Sequence, residues 1–338
     1  MFMYIVVLSF LLLSLLLYAL LGGADFGAGV IQLLSTTPKA EKVIGRAIGP
    51  IWEANHMWLV IAVVISFMGF PAIFKVVSTA LHIPVFILLL GIIFRGTAYA
   101  FKHYDAIKDE KSQLMYHRVF VWGSLVSTLF IGITFGAMSL GKIDPNATDF
   151  YTGYIAPWFN FFSISVGFLT TALFAFLAAV YLIGENEDPE VKEFFITKAW
   201  KWLLASVAIG VVVFVAAYID GLPLFNELIS SPLSMLAIGF AAGSLPLMFS
   251  TIRKGKVVLS RLMAGAQTVL ILGAWLLLHY PHAIMLSNGG SLDLYDSRAP
   301  DATLAVLGWA LLLGSLFILP ALGYLYVVFK GHGPEESI

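Results

Sequence analysis

Nine long apolar runs separated by short polar connections organise this 338-residue sequence and leave few folds open to it. About 20 apolar residues let an α-helix cross the hydrocarbon core of a bilayer. Runs of that order occur at about 3–33, 50–71, 76–100, 114–141, 157–184, 199–219, 230–250, 257–280 and 303–329. Backbone amides find no water inside lipid, so each run is expected to satisfy them internally as a helix. The expected class is all-α, a polytopic membrane protein with nine transmembrane helices. Composition supports this, with 60% hydrophobic and 12% charged residues, far from soluble averages. The first run has no basic leader and outlasts the apolar core of a signal peptide, so it is expected to stay as the first span. Pro50 and Pro157 fit the first helical turns of spans two and five.

The charges between the runs give an orientation. Lys and Arg alternate between rich and poor connections, sixteen on one side and three on the other. The positive-inside rule then places the N-terminus outside. The connections after spans one, three, five and seven, and the C-terminus, are placed in the cytoplasm. A net charge of −1 without a long basic run gives no footprint for nucleic acid. The lack of cysteine removes disulfides, iron–sulfur ligation, thiol catalysis and c-type haem attachment.

Two acids interrupt the apolar runs. Asp25 is the only charged residue among the first 38, and Glu53 is the only formal charge between Arg46 and Lys75. A charge at the centre of a spanning helix costs about 3 kcal/mol, so such residues usually face a bundle interior and serve a function. The topology puts both near the cytoplasmic side, with Asp25 about 12 Å deep at 1.5 Å per residue. Arg95 in span three belongs to the same side, and a polar cluster of Asp25, Glu53, His56 and Arg95 is expected there. Gly23 and Gly27 flank Asp25 at the small-xxx-small spacing that lets a second helix approach. Asp25 then has two readings, a proton carrier or an ion-pairing residue, beside a plain packing role. Glu53 and His56 are three residues apart and can share a helix face. They form either a proton-passing pair or, for Glu53, a charge matched to the helix dipole. Trp52 and Trp58 read as interfacial or packing aromatics.

Membrane histidines raise the question of haem. His56 belongs to the cytoplasmic side, whereas His82, His279 and His282 belong to the outer side, so matching axial ligands are poorly provided. His103, His117 and His332 read as loop or terminal residues, and the acidic stretch Glu185 to Glu193 as a solvated connection. A proton-coupled secondary transporter would use the same acids. Such proteins usually repeat an interrupted helix in both halves. Gly22-Gly23 is the strong interruption here, without an evident second-half counterpart.

Three strings go further: Ala24-Asp25-Phe26-Gly27-Ala28-Gly29; Gly49-Pro50-Ile51-Trp52-Glu53-Ala54-Asn55-His56-Met57-Trp58-Leu59; and Phe94-Arg95-Gly96-Thr97-Ala98-Tyr99-Ala100-Phe101. In order and spacing they resemble subunit II of the cytochrome bd-type quinol oxidases. The resemblance implies two four-helix bundles plus one extra helix, dividing the chain at about 1–141, 157–282 and 303–330. It also implies an aerobic respiratory complex in a bacterial plasma membrane that oxidises quinol and reduces dioxygen to water. Haem b and haem d would sit in the partner, subunit I, and none on this chain. Small single-helix accessory subunits, membrane lipid and quinone complete the implied partners. The family's proton route between subunits corresponds to Asp25, Trp52 and Glu53. To these our reading adds His56, with Asn55 and Arg95 as polar support. The match departs at Gly22-Gly23-Ala24-Asp25, where many members carry a further acid, and at Glu53, where many have Asp.

Overall fold

The computed structural model describes residues 1–34, 37–48, 52–107, 109–222 and 224–331. Among them, nine helices are long and apolar enough to cross a membrane: Phe2–Leu33, Trp52–Gly69, His82–Lys102, Glu110–Ser139, Phe161–Leu182, Pro189–Ile219, Pro232–Arg253, Val257–His279 and Asp301–Tyr324. These are spans one to nine below. Pro50 and His332 lie outside the described residues.

The boundaries depart from the sequence expectation in several places, among them the start of span six, which begins at Pro189 and not near residue 199, and His103, which lies in the last turn of the helix His82–Tyr104 and not in a loop. The third apolar run is divided: Pro71–Ala80 is a separate short helix led by its proline, and span three starts at His82. Leu81, whose backbone leaves the helical region (φ −108°, ψ 20°), separates the two. Pro157 does not open span five. Asn160 does, because its side-chain oxygen accepts from the Ser163 amide at 2.8 Å, satisfying one of the donors left free at a helix start. His117 is not a loop residue either, since the fourth helix already begins at Glu110.

Span one is not a uniform helix. A wide π-helical turn at Tyr18–Gly22 separates an outer part, Phe2–Leu17, from an inner part, Gly23–Leu34. The outer part packs against spans two and nine, and the inner part against spans four and five. Glycine makes the second contact possible. A Cβ on Gly27 would overlap the carbonyl of Phe174, one on Gly29 would overlap the Ser124 hydroxyl, and one on Gly23 would lie 2.7 Å from the Phe174 ring. Span five fills the middle of the molecule, with Phe174 to Val180 buried in a core shared with Phe26, Ile31, Ile44, Phe195 and Met248. That core draws on residues from both sides of the 141–157 segment.

The end carrying the basic connections, the basic end, is tied together by ion pairs. Lys39 bonds Asp188 at 3.1 Å and Glu190 at 2.8 Å, and Lys102 bonds Glu41 at 2.7 Å. The stretch Glu185 to Glu193, expected as a plain solvated connection, therefore also clamps the first interspan connection. At the opposite end, strands His282–Met285 and Ser291–Asp293 form an antiparallel hairpin. The Ala299 amide there bonds the last carbonyl of span two, at Gly69, at 2.8 Å.

Candidate functional site

The face that span two turns inward decides what the site contains. Asn55, Trp58, Ala62, Ile65 and Gly69 are its buried residues. Their three- and four-residue spacing is the stripe of a helix packed along one side. Asn55 enters the interior on that stripe and donates from Nδ2 to Asp25 Oδ2 at 2.6 Å. Glu53, two residues earlier and so about 200° round the helix, is exposed, as are Met57, Val60, Val64 and Phe67 below it. The expected four-residue cluster is corrected accordingly: the structure joins Asp25, Asn55 and Arg95 and leaves Glu53 on the outer face of span two.

Arg95 is 1% exposed and Asp25 6% exposed. Burying the guanidinium demands partners for its rigid fork of donors. Nη2 donates to the main-chain carbonyl of Asp25 at 3.0 Å and Nε to Ser124 Oγ at 3.1 Å. The rings of Phe26 and Phe120 lie 4.7 and 5.0 Å from its central carbon, so their negative faces add to its stabilisation. The guanidinium is thus held on the backbone of the acid's own residue. Among the described residues no ion pair within 4.0 Å joins the two charges directly. The Asp25 carboxylate consequently keeps hydrogen-bonding capacity beyond its bond from Asn55.

His56 stands in an aromatic shell. Its ring lies 5.9 Å from Tyr18, 5.5 Å from Phe26 and 5.8 Å from Trp52. Trp52 in turn packs on Tyr99 at 5.7 Å and over Gly96, where a Cβ would meet the indole at 3.3 Å. Two buried atoms in this shell, His56 Nδ1 and Tyr18 Oη, have no hydrogen-bond partner among the described residues. Such atoms are costly unless a water satisfies them. Tyr18 is the first residue of the π-helical turn, so the break in span one, the aromatic shell and Asp25 form one neighbourhood.

Sequence reasoning missed Tyr18, Phe26, Ser124 and Tyr99 as members of this site. The signal available for Tyr18 was its place four residues before Gly22-Gly23; Ser124 had none beyond being polar inside an apolar run. Other histidines stand apart. His82 packs on Tyr154 and His279 on Trp275, with ring centres at 5.0 and 4.6 Å. His117 Nδ1 lies 3.1 Å from Glu41. That imidazole, with Lys102, outweighs partial burial and holds the Glu41 carboxyl down to about 2. The side chain of His103 falls outside the description.

Comparison with known proteins adds a family. The sequence model of the family described as "Cytochrome bd terminal oxidase subunit II" matches residues 3–329. The chain belongs to the cytochrome bd oxidase subunit II family. It is 26% identical to "Cytochrome bd ubiquinol oxidase subunit 2" of Bacillus subtilis over 317 residues, 92% of this chain and 90% of that protein. It is 24% identical to "Cytochrome bd-I ubiquinol oxidase subunit 2" of Escherichia coli K12, over 49% of this chain and 44% of that one. In three dimensions it is similar to a chain in the structure of bd oxidase from Geobacillus thermodenitrificans. The TM-score is 0.70 at 21% identity, covering 97% of this chain and 99% of the other. Membership makes this subunit II a component of an oxidase, and the transporter reading is left without support.

Proposed function

We propose that this subunit II stabilises a haem-bearing subunit I and supplies its oxygen chemistry with protons taken up at the basic, cytoplasmic end. The oxidase would oxidise a quinol and reduce dioxygen to water in a bacterial plasma membrane. Haems b and d belong in this reading to the partner and supply the redox chemistry there. This chain's own residues bind, orient and pass protons. The observation that carries the reading is the Asp25 carboxylate, buried, bonded by Asn55 and attended by an Arg95 that bonds the main-chain carbonyl of Asp25 and the Ser124 hydroxyl. A carboxylate that is stabilised but not locked into an ion pair can take up and release a proton at modest cost.

Glu53 takes the outer position in this scheme. It shares its helix face with Met57, Val60, Val64 and Phe67, and we assign that face to contact with the partner, where a surface acid can hand protons across an interface. We assign Trp52 and His56 to the ground between the two acids, and the Nδ1 of His56 and Oη of Tyr18, unsatisfied among the described residues, mark where an ordered water would extend the path. Replacing Asp25 with Asn keeps the shape and the bond network while removing the proton. Oxygen consumption of the purified complex should fall by at least about tenfold, the scale of positioned proton transfer, with haem absorption unchanged. Full-rate turnover of that variant would remove Asp25 from the mechanism.

A further inference from the structure

A second feature reaches Asp25 from the basic end. A cleft of about 290 Å³ is lined by Asp25 and Asn55 at one extreme and by Tyr181, Glu185 and Arg261 at the other, with Ala24 and Ala47 among its walls. It runs between the inner half of span one, the end of span five and the start of span eight. Its volume is many times the roughly 10–15 Å³ that holds one water. The wall is polar where it matters. Arg261 bonds Glu185 Oε1 at 2.8 Å and also the Tyr181 carbonyl. Lipid tails filling the cleft would leave the Asp25 carboxylate on its wall without polar company; water provides it. Leu262, beside Arg261, is 66% exposed and marks the open side.

We propose that this cleft is the water-filled intake through which Asp25 exchanges protons with solvent, with Glu185 the carboxylate at its mouth. Arg261 is a positioning residue that holds Glu185 and seats span eight against span five. Gly184 makes room for it, since a Cβ there would lie 2.9 Å from Arg261 Nη2. The proton moves from bulk water along ordered waters to the Asp25 carboxylate, and no other bond changes. The proposal rests on the reading of Asp25 as a proton carrier but adds a route contained within this subunit.

The sequence has no cysteine, which allows a direct test in membranes holding the intact oxidase. Single variants Leu262→Cys at the mouth, Ala24→Cys and Ala47→Cys in the walls, and Ala175→Cys in the sealed core are treated with a charged, membrane-impermeant methanethiosulfonate. The mass of this chain is followed. Leu262→Cys and the wall variants should be modified while Ala175→Cys is not, and the modified wall variants should lose most of their oxygen consumption. Glu185→Gln should slow turnover severalfold with haem absorption intact. The intake is overturned if both wall variants are as inert as Ala175→Cys, or if modified wall variants turn over at full rate. Should that happen while Asp25→Asn still stops turnover, only the intake falls. Should Asp25→Asn run at full rate, the role of Asp25 falls whatever the labelling gives. Two wall positions are used so that failure of one to assemble leaves the other to decide.

Discussion

Asp25 and Glu53 stand at the same end of adjacent spans, and their surroundings are opposite. Asp25 sits in the interior with Asn55 on its carboxylate and a guanidinium tied to its carbonyl. Glu53 looks outward from a stripe of exposed apolar side chains. In sequence both are single charges in apolar runs, and the rarity of charge marks both. Rarity reports that a charge costs free energy; the phase of the helix decides where it is placed. An interior acid must be compensated within the chain, whereas an outward acid can leave its compensation to whatever covers that face.

The sharpest way to break this contrast is to remove the compensation. Arg95→Leu should leave the Asp25 carbonyl, Ser124 and the carboxylate charge uncompensated, at a cost of about 3–5 kcal/mol for a broken buried charge network. We expect the yield and thermal midpoint of the complex to drop sharply, with Arg95→Lys recovering part of the loss. Unchanged stability in Arg95→Leu would mean that Asp25 is buried for some other reason. Glu53→Gln is the converse case. It should assemble at wild-type yield and slow oxygen consumption; a collapse of assembly instead would show that Glu53 is a structural partner.

A third acid sets the lower end of the scale. Glu41 lies outside the spans in a partly exposed cluster with His117 and Lys102, so solvent screening limits its contribution to about 1 kcal/mol. Its carboxyl is held down to about 2 in the fold, against about 4.3 in an unfolded chain. The stabilisation is therefore complete above the unfolded value and is lost as pH falls from there through about 2. Glu41→Gln should lower the thermal midpoint slightly at neutral pH, and the gap from wild type should close on acidification over that window.

Much of the frame was legible in the sequence because lipid imposes it: among the described residues the apolar runs became nine helices long and apolar enough to span, and topology alone put Asp25 and Arg95 at one end. What escaped depended on rotation and local caps, which hydropathy does not record. Pro157 looked like a helix start, but Asn160 three residues later had the oxygen to cap one. Glu53 looked paired with His56, but only Asn55 lay on the buried stripe. Glu185 looked like one more solvated acid because its partner, Arg261, is 76 residues away in the chain.

The wide turn at Tyr18–Gly22 has a consequence for how span one can vary. An extra residue in a turn advances everything after it by about 100°, so the turn acts as a phase shifter between two half-helices keyed to different neighbours. The side chains of Phe2–Leu17 and of Gly23–Leu34 are each in step with their own partners and out of step with one another. Losing a single apolar residue from the turn would leave composition and span length almost untouched, yet swing Asp25 away from Asn55. In this segment the number of residues carries as much information as their identity.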